Sequence, residues 1–479
     1  MRRVVQSACL IAVAAACATN PATGKKQLML MSEGQEIQLG KESDQQVRQE
    51  MGVYSDTGLQ TYVAGIGAKL KQKSHRPNLP WTYTVVDAPA VNAFALPGGF
   101  IYLTRGILPF LRDEAELAAV LGHETGHVDA RHSASQYSTQ TALGGALAVG
   151  SIFSEQVGAV SGAASQALSL AFLKNSRDHE LEADRLGVGY ASQNGWAPEG
   201  MPDLLNTLGR LDEASGSSRG VPNWALTHPP AVDRVSRVQE SVTAARAATG
   251  DGTRGRQAFE SHLDGMVYGD SREQGMVRNG EFVHPILRFG VKFPSGWNVA
   301  NSAQQVVAQR DENGTVAMIL EVAPTAGSPR ETAQASMAKS GFVEVEGAER
   351  SLNGDPAYVG TYRGKMENTE VGLRAAFIRH GQNQTFLLAG LATADQFTGA
   401  RSAFDGAIAS FRTLSQAEAD RIQSDRVRFY TVSSGDTWES LAQGQSGGRV
   451  KPGTLAIMNG SAPNIAPKVG ERIRIVTGG

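Results

Sequence analysis

AELAAVLGHETGHVDARH (residues 115–132) sets two histidines, His123 and His127, four apart around Glu124, inside a stretch that otherwise reads as a buried helix. Residues four apart share one face of an α-helix, so both imidazoles can address a single ion. Glu124 sits about 100° further round, within reach of a water on that ion without ligating it. Zinc acidifies such a water towards about pH 7 and a neighbouring carboxylate takes the proton, the division of labour of a zinc hydrolase. The bland alternative is a polar cluster tucked into an ordinary core. Burying two imidazoles and a carboxylate without partners is costly, and that counts against it.

A hydrolytic zinc site keeps one position open and needs a third protein ligand. His132 comes five residues after His127, and position 130 is Ala, so the metzincin spacing fails. A later acidic stretch, HELEADRLG (179–187), supplies better candidates. Glu180 and Asp184 are four apart on one helical face, so one can ligate while the other orients a histidine through its distal N–H. Spacing alone does not separate Glu180 from Glu182 as the ligand.

The chain has 479 residues, which suits two to four units. Hydrophobic residues make up 41% and charged residues 19%, a globular composition. A net charge of −2 gives no electrostatic case for nucleic acid as a partner. The start, MRRVVQSACLIAVAAAC, has a basic opening, a short apolar run and small residues before Cys17: a secretory signal, too short to span a bilayer. Its AAAC end is similar to a bacterial lipobox with Cys17 as the lipidated residue, though Ala14 stands where Leu or Val is usual; cleavage by the ordinary signal peptidase is the alternative. Both cysteines, Cys9 and Cys17, fall in this segment, so the remainder has no disulfide.

Beyond a polar linker, SEGQEIQLGKESDQQV (32–47) reads as a helix with Ser32 and Gln35 placed as a capping box. GLQTYVAGIGAKLKQ (58–72) reads as a second helix. WTYTVVD (81–87) and VNAFALPGGFIYLTRGIL (91–108) read as a strand pair about a Pro97-Gly98-Gly99 turn. Asp113 and Glu116 are placed as N-cap and N3 of the motif helix. Residues 141–173 are apolar with the single charge Glu155, and read as a soluble helical hairpin or lid in preference to a membrane hairpin. Composition shifts near residue 250. Short strands and two helices over 282–415 read as an α/β sandwich without a chemical cluster; SQAEADRIQSDRVR (415–428) reads as a charged helix before a last unit of about fifty residues.

HETGH (123–127) followed by ELEAD (180–184) resembles the HExxH…ExxxD gluzincins that include the CAAX prenyl endopeptidases, HtpX and their soluble periplasmic relatives. The resemblance covers residues 30–245, with NAFALPGGFIYLTRGIL, SRDHELEAD and LTHPP. It implies one Zn²⁺ per chain on His123, His127 and Glu180, with Glu124 as general base and Asp184 orienting a ligand, which settles the choice against Glu182. It also makes His228 of LTHPP a loop histidine that stabilises the oxyanion or caps a resting site; a plain loop or capping histidine is the alternative. His132 reads as structural, His179 as a neighbour of the site, and Arg234 as a partner of either the site or a surface acid. The strand through Asn92–Gly99 would hold a substrate peptide by β-addition, with the backbone of Asn92 and Ala93 as the contact.

The last unit (430–476) resembles a LysM module in Gly435-Asp436-Thr437, Asn459-Gly460 and the closing VGERIRI. Its Gly-rich stretch 443–452 departs from the usual spacing, so glycan binding and mere docking stay open. The middle unit resembles PsbP-like sandwiches. The expected fold is thus α+β: a signal over 1–17, a mainly helical zincin domain with a small edge-strand sheet over 30–250, a sandwich over 265–415 and a βααβ module over 428–479. The expected activity is a zinc endopeptidase acting on proteins or peptides of the bacterial envelope, in the periplasm, lipid-anchored to the outer membrane, with peptidoglycan as a further partner. The alternative is a capped, non-proteolytic chaperone or peptidoglycan-tethered assembly factor.

Overall fold

The computed structural model describes residues 17–142, 175–215, 224, 228, 232–278, 280–311, 314–324, 327–366, 369–381 and 384–479. The chain is a mixed α/β structure. The reading of 141–173 as a hairpin or lid falls almost wholly outside the described residues. Among these, no helix is long and apolar enough to cross a membrane.

Local signals place the helices around the site. Ser32 and Gln35 close the expected capping box at the start of Glu33–Met51. Asp56 caps Thr57–Lys71 through the N–H of Leu59. The motif helix spans Glu114–Asp129, and Asp113 accepts from the Glu116 N–H at 3.0 Å. It is buried along nearly its whole length, with His123, Glu124, His127 and Asp129 enclosed beside its apolar residues. Ser176 caps the acidic helix, Arg177–Gln193. Helices Gly200–Ser215 and Val232–Thr249 complete the layer.

The expected strand pair is a three-stranded sheet. Ala93–Leu96 turns through Gly98 and Gly99, both in the left-handed region, and pairs antiparallel with Phe100–Thr104. A Cβ on Gly98 would lie 2.8 Å from the Ile37 Cα, so the turn is pressed against the first helix as well as reversed. Thr82–Val86 pairs parallel with the other edge of Phe100–Thr104. The hairpin satisfies only one edge of that buried strand, and its remaining backbone groups need the second partner.

The middle unit holds a seven-stranded antiparallel sheet whose long central strands are Asp355–Met366, Thr369–His380 and Gln384–Thr393. Helix Ala394–Ala409 buries Phe404 and Ile408 against an apolar cluster that includes Leu388 and Phe386. The charged helix expected over 415–428 stops at Arg421. Residues Asp425–Thr431 are instead a strand, between Arg472–Thr477 and Val267–Tyr268. The Val-Arg-Phe-Tyr-Thr run alternates and finds pairing partners, and that overrides helix propensity. The last unit runs strand, helix, helix, strand, and its Trp438, Leu455 and Ile473 share one buried cluster with Leu117 and Val120 of the motif helix.

Candidate metal centre

Three glycines bring the motif helix and the acidic helix together. A Cβ on Gly122 would meet the Gly187 carbonyl oxygen at 3.0 Å, one on Gly126 would meet Ala183 Cα at 3.2 Å, and one on Gly187 would meet the His123 nitrogen at 2.8 Å. This close crossing sets His123 and His127 opposite Glu180 and Asp184. All four are essentially removed from solvent.

His123, His127, Glu180 and His228 each offer a ligand atom, and those atoms lie within 4.8 Å of one another. The Nε2 atoms of His123 and His127 face each other at 2.9 Å. Glu180 lies 3.5 Å from the first and 3.3 Å from the second. His123 Nδ1 lies 2.9 Å from Asp184 Oδ1, and an ionised carboxylate there favours the tautomer with the proton on Nδ1. His127 Nδ1 lies 2.9 Å from His132 Nδ1. The two Nε2 atoms thus face each other inside a buried carboxylate-lined cavity, where a proton or a cation must lie between them. Two imidazoles with a carboxylate are a donor set suited to Zn²⁺. The residues therefore fit the ion.

Arg234, uncommitted between site and surface in the sequence, belongs to the site. It bonds Asp184 with two nitrogens, at 2.8 and 2.7 Å, and sets Nη1 2.8 Å from Glu180 Oε2. Burial would push the Glu180 carboxyl up, yet His228, Arg234, His123 and His127 together hold it well below the usual range. Asp184 is likewise buried and likewise held down, mainly by Arg234. Burial pulls the His123 imidazole down, but Asp184 and Glu180 outweigh it and raise it to about 9. Glu124, on the same helix, has Oε1 3.5 Å from His228 Nε2; burial pushes its carboxyl up, but His228, His123 and His127 together hold it below the ordinary value.

His228 stacks on Trp224 with ring centroids 3.9 Å apart and planes 9° from parallel. The Trp224 N–H donates to the Val91 carbonyl at 3.1 Å. Trp224 thereby ties His228 to the residues just before the edge strand, a role its place in the sequence does not signal. Glu182, the residue that spacing left level with Glu180, points elsewhere: its Oε2 lies 2.9 Å from His132 Nε2. His179 stacks on His132 at 4.1 Å. Burial lowers His132 to about 4, more than Glu182 can raise it.

The edge strand corrects one expectation. Thr104 donates its N–H to the Asn92 carbonyl at 3.0 Å, and Asn92 donates its own to Thr104 Oγ1 at 2.9 Å, so the Asn92 backbone faces the sheet. The Ala93 N–H is taken by the Asn92 side chain at 2.9 Å. The alternation of the antiparallel pair turns the Ala93 carbonyl and both backbone groups of Ala95 to the open edge.

Comparison with known proteins bears on this segment. Residues 58–242 match the model of Peptidase family M48. The beta-barrel assembly-enhancing protease of Escherichia coli (strain K12) is 31% identical over 219 residues, 44% of this chain and 44% of that protein. The mitochondrial metalloendopeptidase OMA1 of Schizosaccharomyces pombe is 32% identical over 191 residues, 37% of this chain and 52% of that one. Metalloprotease YcaL of Escherichia coli is 29% identical over 177 residues, 35% of this chain and 64% of that one. The match thus spans about half the length of these relatives. A solved structure, cyanobacterial PsbP from Synechocystis, is aligned over 29% of this chain and 96% of that one, at 13% identity and a TM-score of 0.24. Residues 58–242 thus resemble the M48 peptidases in sequence, and the side chains that converge as a candidate metal centre all lie within that matched segment.

Proposed function

We propose that this chain is a zinc-dependent endopeptidase of the bacterial cell envelope that hydrolyses misfolded or misassembled envelope proteins. The convergence of His123, His127, Glu180 and His228 beside Glu124 carries the reading. His123, His127 and Glu180 would hold the ion, which when bound supplies Lewis acidity to water and to the substrate carbonyl. Glu124, ionised and buried, takes the proton of the attacking water and returns it to the leaving amine. Asp184 fixes the His123 tautomer, and Arg234 offsets the charge of the two carboxylates. The substrate peptide pairs with the edge at Ala93 and Ala95, not Asn92. His228 either stabilises the developing oxyanion or caps the resting site.

Secretion by the signal over 1–17, a lipid anchor at Cys17 and a periplasmic place at the outer membrane complete the proposal. The sandwich over 265–415 and the LysM-like unit over 428–479 serve partners, peptidoglycan among them. The name of the assembly-enhancing relatives supports an envelope substrate class. The chaperone or tethered-factor alternative has one observation in its favour: His228 joins the metal cluster while stacked on Trp224, whose backbone N–H bonds Val91 just before the edge strand.

Bound zinc and casein cleavage measured on wild type, Glu124→Gln and His228→Ala separate the two. The expected result is one zinc in each, with turnover of Glu124→Gln lowered by about 10²–10⁴-fold. Zinc without cleavage in wild type, and none gained by His228→Ala, would sink the peptidase reading. Absence of zinc from all three would remove the site itself.

A further inference from the structure

The two histidines of the motif are supported differently. His123 sets its Nδ1 2.9 Å from a carboxylate oxygen of Asp184, whereas His127 meets another imidazole, His132. We propose that His132 and Glu182 are positioning residues that hold His127 for the metal through a two-step relay, a reading that rests on His127 being a ligand. The protons along the relay are determined in sequence. With Nε2 of His127 turned to the ion, its Nδ1 carries the proton and donates to His132 Nδ1. His132 must then carry its own proton on Nε2, which faces Glu182 Oε2 at 2.9 Å. One ionised carboxylate at the far end thus fixes two tautomers.

The relay is held at each joint. His132 opens the helix His132–Ala142 and is 1% exposed, with the His179 ring stacked on its face. Gln136 lies 3.3 Å from His179 Nδ1. Glu182 is also reached by Asn20 Nδ2, 3.4 Å from the same Oε2, and by Lys25 Nζ, 4.0 Å from Oε1, from the hairpin formed by Cys17–Thr19 and Lys26–Leu28. That hairpin is itself fixed to the motif helix end, where Gln27 donates to the Ala130 carbonyl. The plain alternative is that His132 and Glu182 form a buried polar contact that steadies two helices and does nothing for the ion.

Zinc affinity separates the two, read on the full chain by competing zinc against a chelator of known affinity. Loss of an outer hydrogen-bond partner of a ligating histidine typically weakens binding by about 10–100-fold. His132→Phe is expected to do so. Glu182→Gln is expected to weaken binding less, because its amide oxygen still accepts from Nε2. His132→Asn is expected to recover part of the loss, since its side-chain oxygen can accept from His127. His127→Ala should lose tight binding altogether. Affinities of His132→Phe and Glu182→Gln within about twofold of wild type, with only the melting temperature lowered, would overturn the relay while leaving the ligand set standing. Undiminished binding in His127→Ala would overturn both. Should His132→Phe not fold, Glu182→Leu, which removes the terminal acceptor, decides by the same criterion.

Discussion

Glu180 and Asp184, buried between the helices, and Glu321, half-buried in the seven-stranded sheet, all lose water on folding, yet their carboxyls end on opposite sides of the ordinary value. Burial raises each of them. At the helical site Arg234 and the histidines more than reverse it, and both carboxyls are held down. In the sheet burial is what acts on Glu321 among the described residues, and it pushes the carboxyl up to about 7. The helical site is therefore a charged interior held by mutual pairing and completed by a cation. The sandwich is an apolar interior held by area, in which a stray acid is a cost. The first kind of interior suits chemistry, because its groups keep their ionised forms without solvent.

Removing the shared cation should test that contrast most severely. Arg234→Met leaves Glu180 and Asp184 buried without their guanidinium, and breaking such a pairing costs about 3–5 kcal/mol. The loss should be largest in metal-free protein and smaller with zinc bound, because the ion replaces part of the missing charge. Thermal unfolding with and without zinc measures it. Equal losses in the two states would mean that Arg234 and the ion do not act on the same carboxylates.

The sandwich should respond to lost volume instead. Leu388 is fully buried in the strand Gln384–Thr393, within the cluster that packs on Phe404. Leu388→Ala is expected to cost about 2–5 kcal/mol through lost transfer energy and a cavity. Zinc content and affinity should be unchanged, as read by metal analysis beside calorimetry. A change in zinc binding would show that the two interiors are coupled.

Much of the helical site is legible from sequence because its signals are local. Asp113 caps the helix that carries HETGH, and a period of four places His123 with His127 and Glu180 with Asp184. Partner choice between elements is not local, and there the sequence is silent. Gly122, Gly126 and Gly187 read as helix-weakening residues until the two helices are seen to cross at them. Arg234 and Asp184 are fifty residues apart, and nothing in either stretch names the other. Spacing ranks Glu182 level with Glu180, and only the orientation of the helix sends it to His132. The strand at Thr82–Val86 follows the same rule: its alternation is visible, while its parallel pairing with Phe100–Thr104 is a property of the assembled sheet. Asp425–Thr431 shows the converse, a segment whose charge pattern suggests a helix and whose neighbours make it a strand.

The smallest expected effect lies in the pH dependence of the sandwich. Glu321 titrates at about 7 in the folded sheet, against an ordinary value of 4.5. Between those values the folded chain keeps a proton that the unfolded chain has released. Stability therefore falls as pH rises through that window and is flat above it. Glu321→Gln removes the proton from the balance, so the drop in the sandwich's melting temperature between pH 5 and pH 8 should narrow. Glu321 is only partly buried, and water at its edge keeps the change smaller than either substitution above. An unchanged drop would mean that solvent already satisfies the carboxylate, and the contrast would then rest on the apolar cluster alone. A vanished drop would make Glu321 the one acid that sets the sandwich's response to pH, without a cation to answer it.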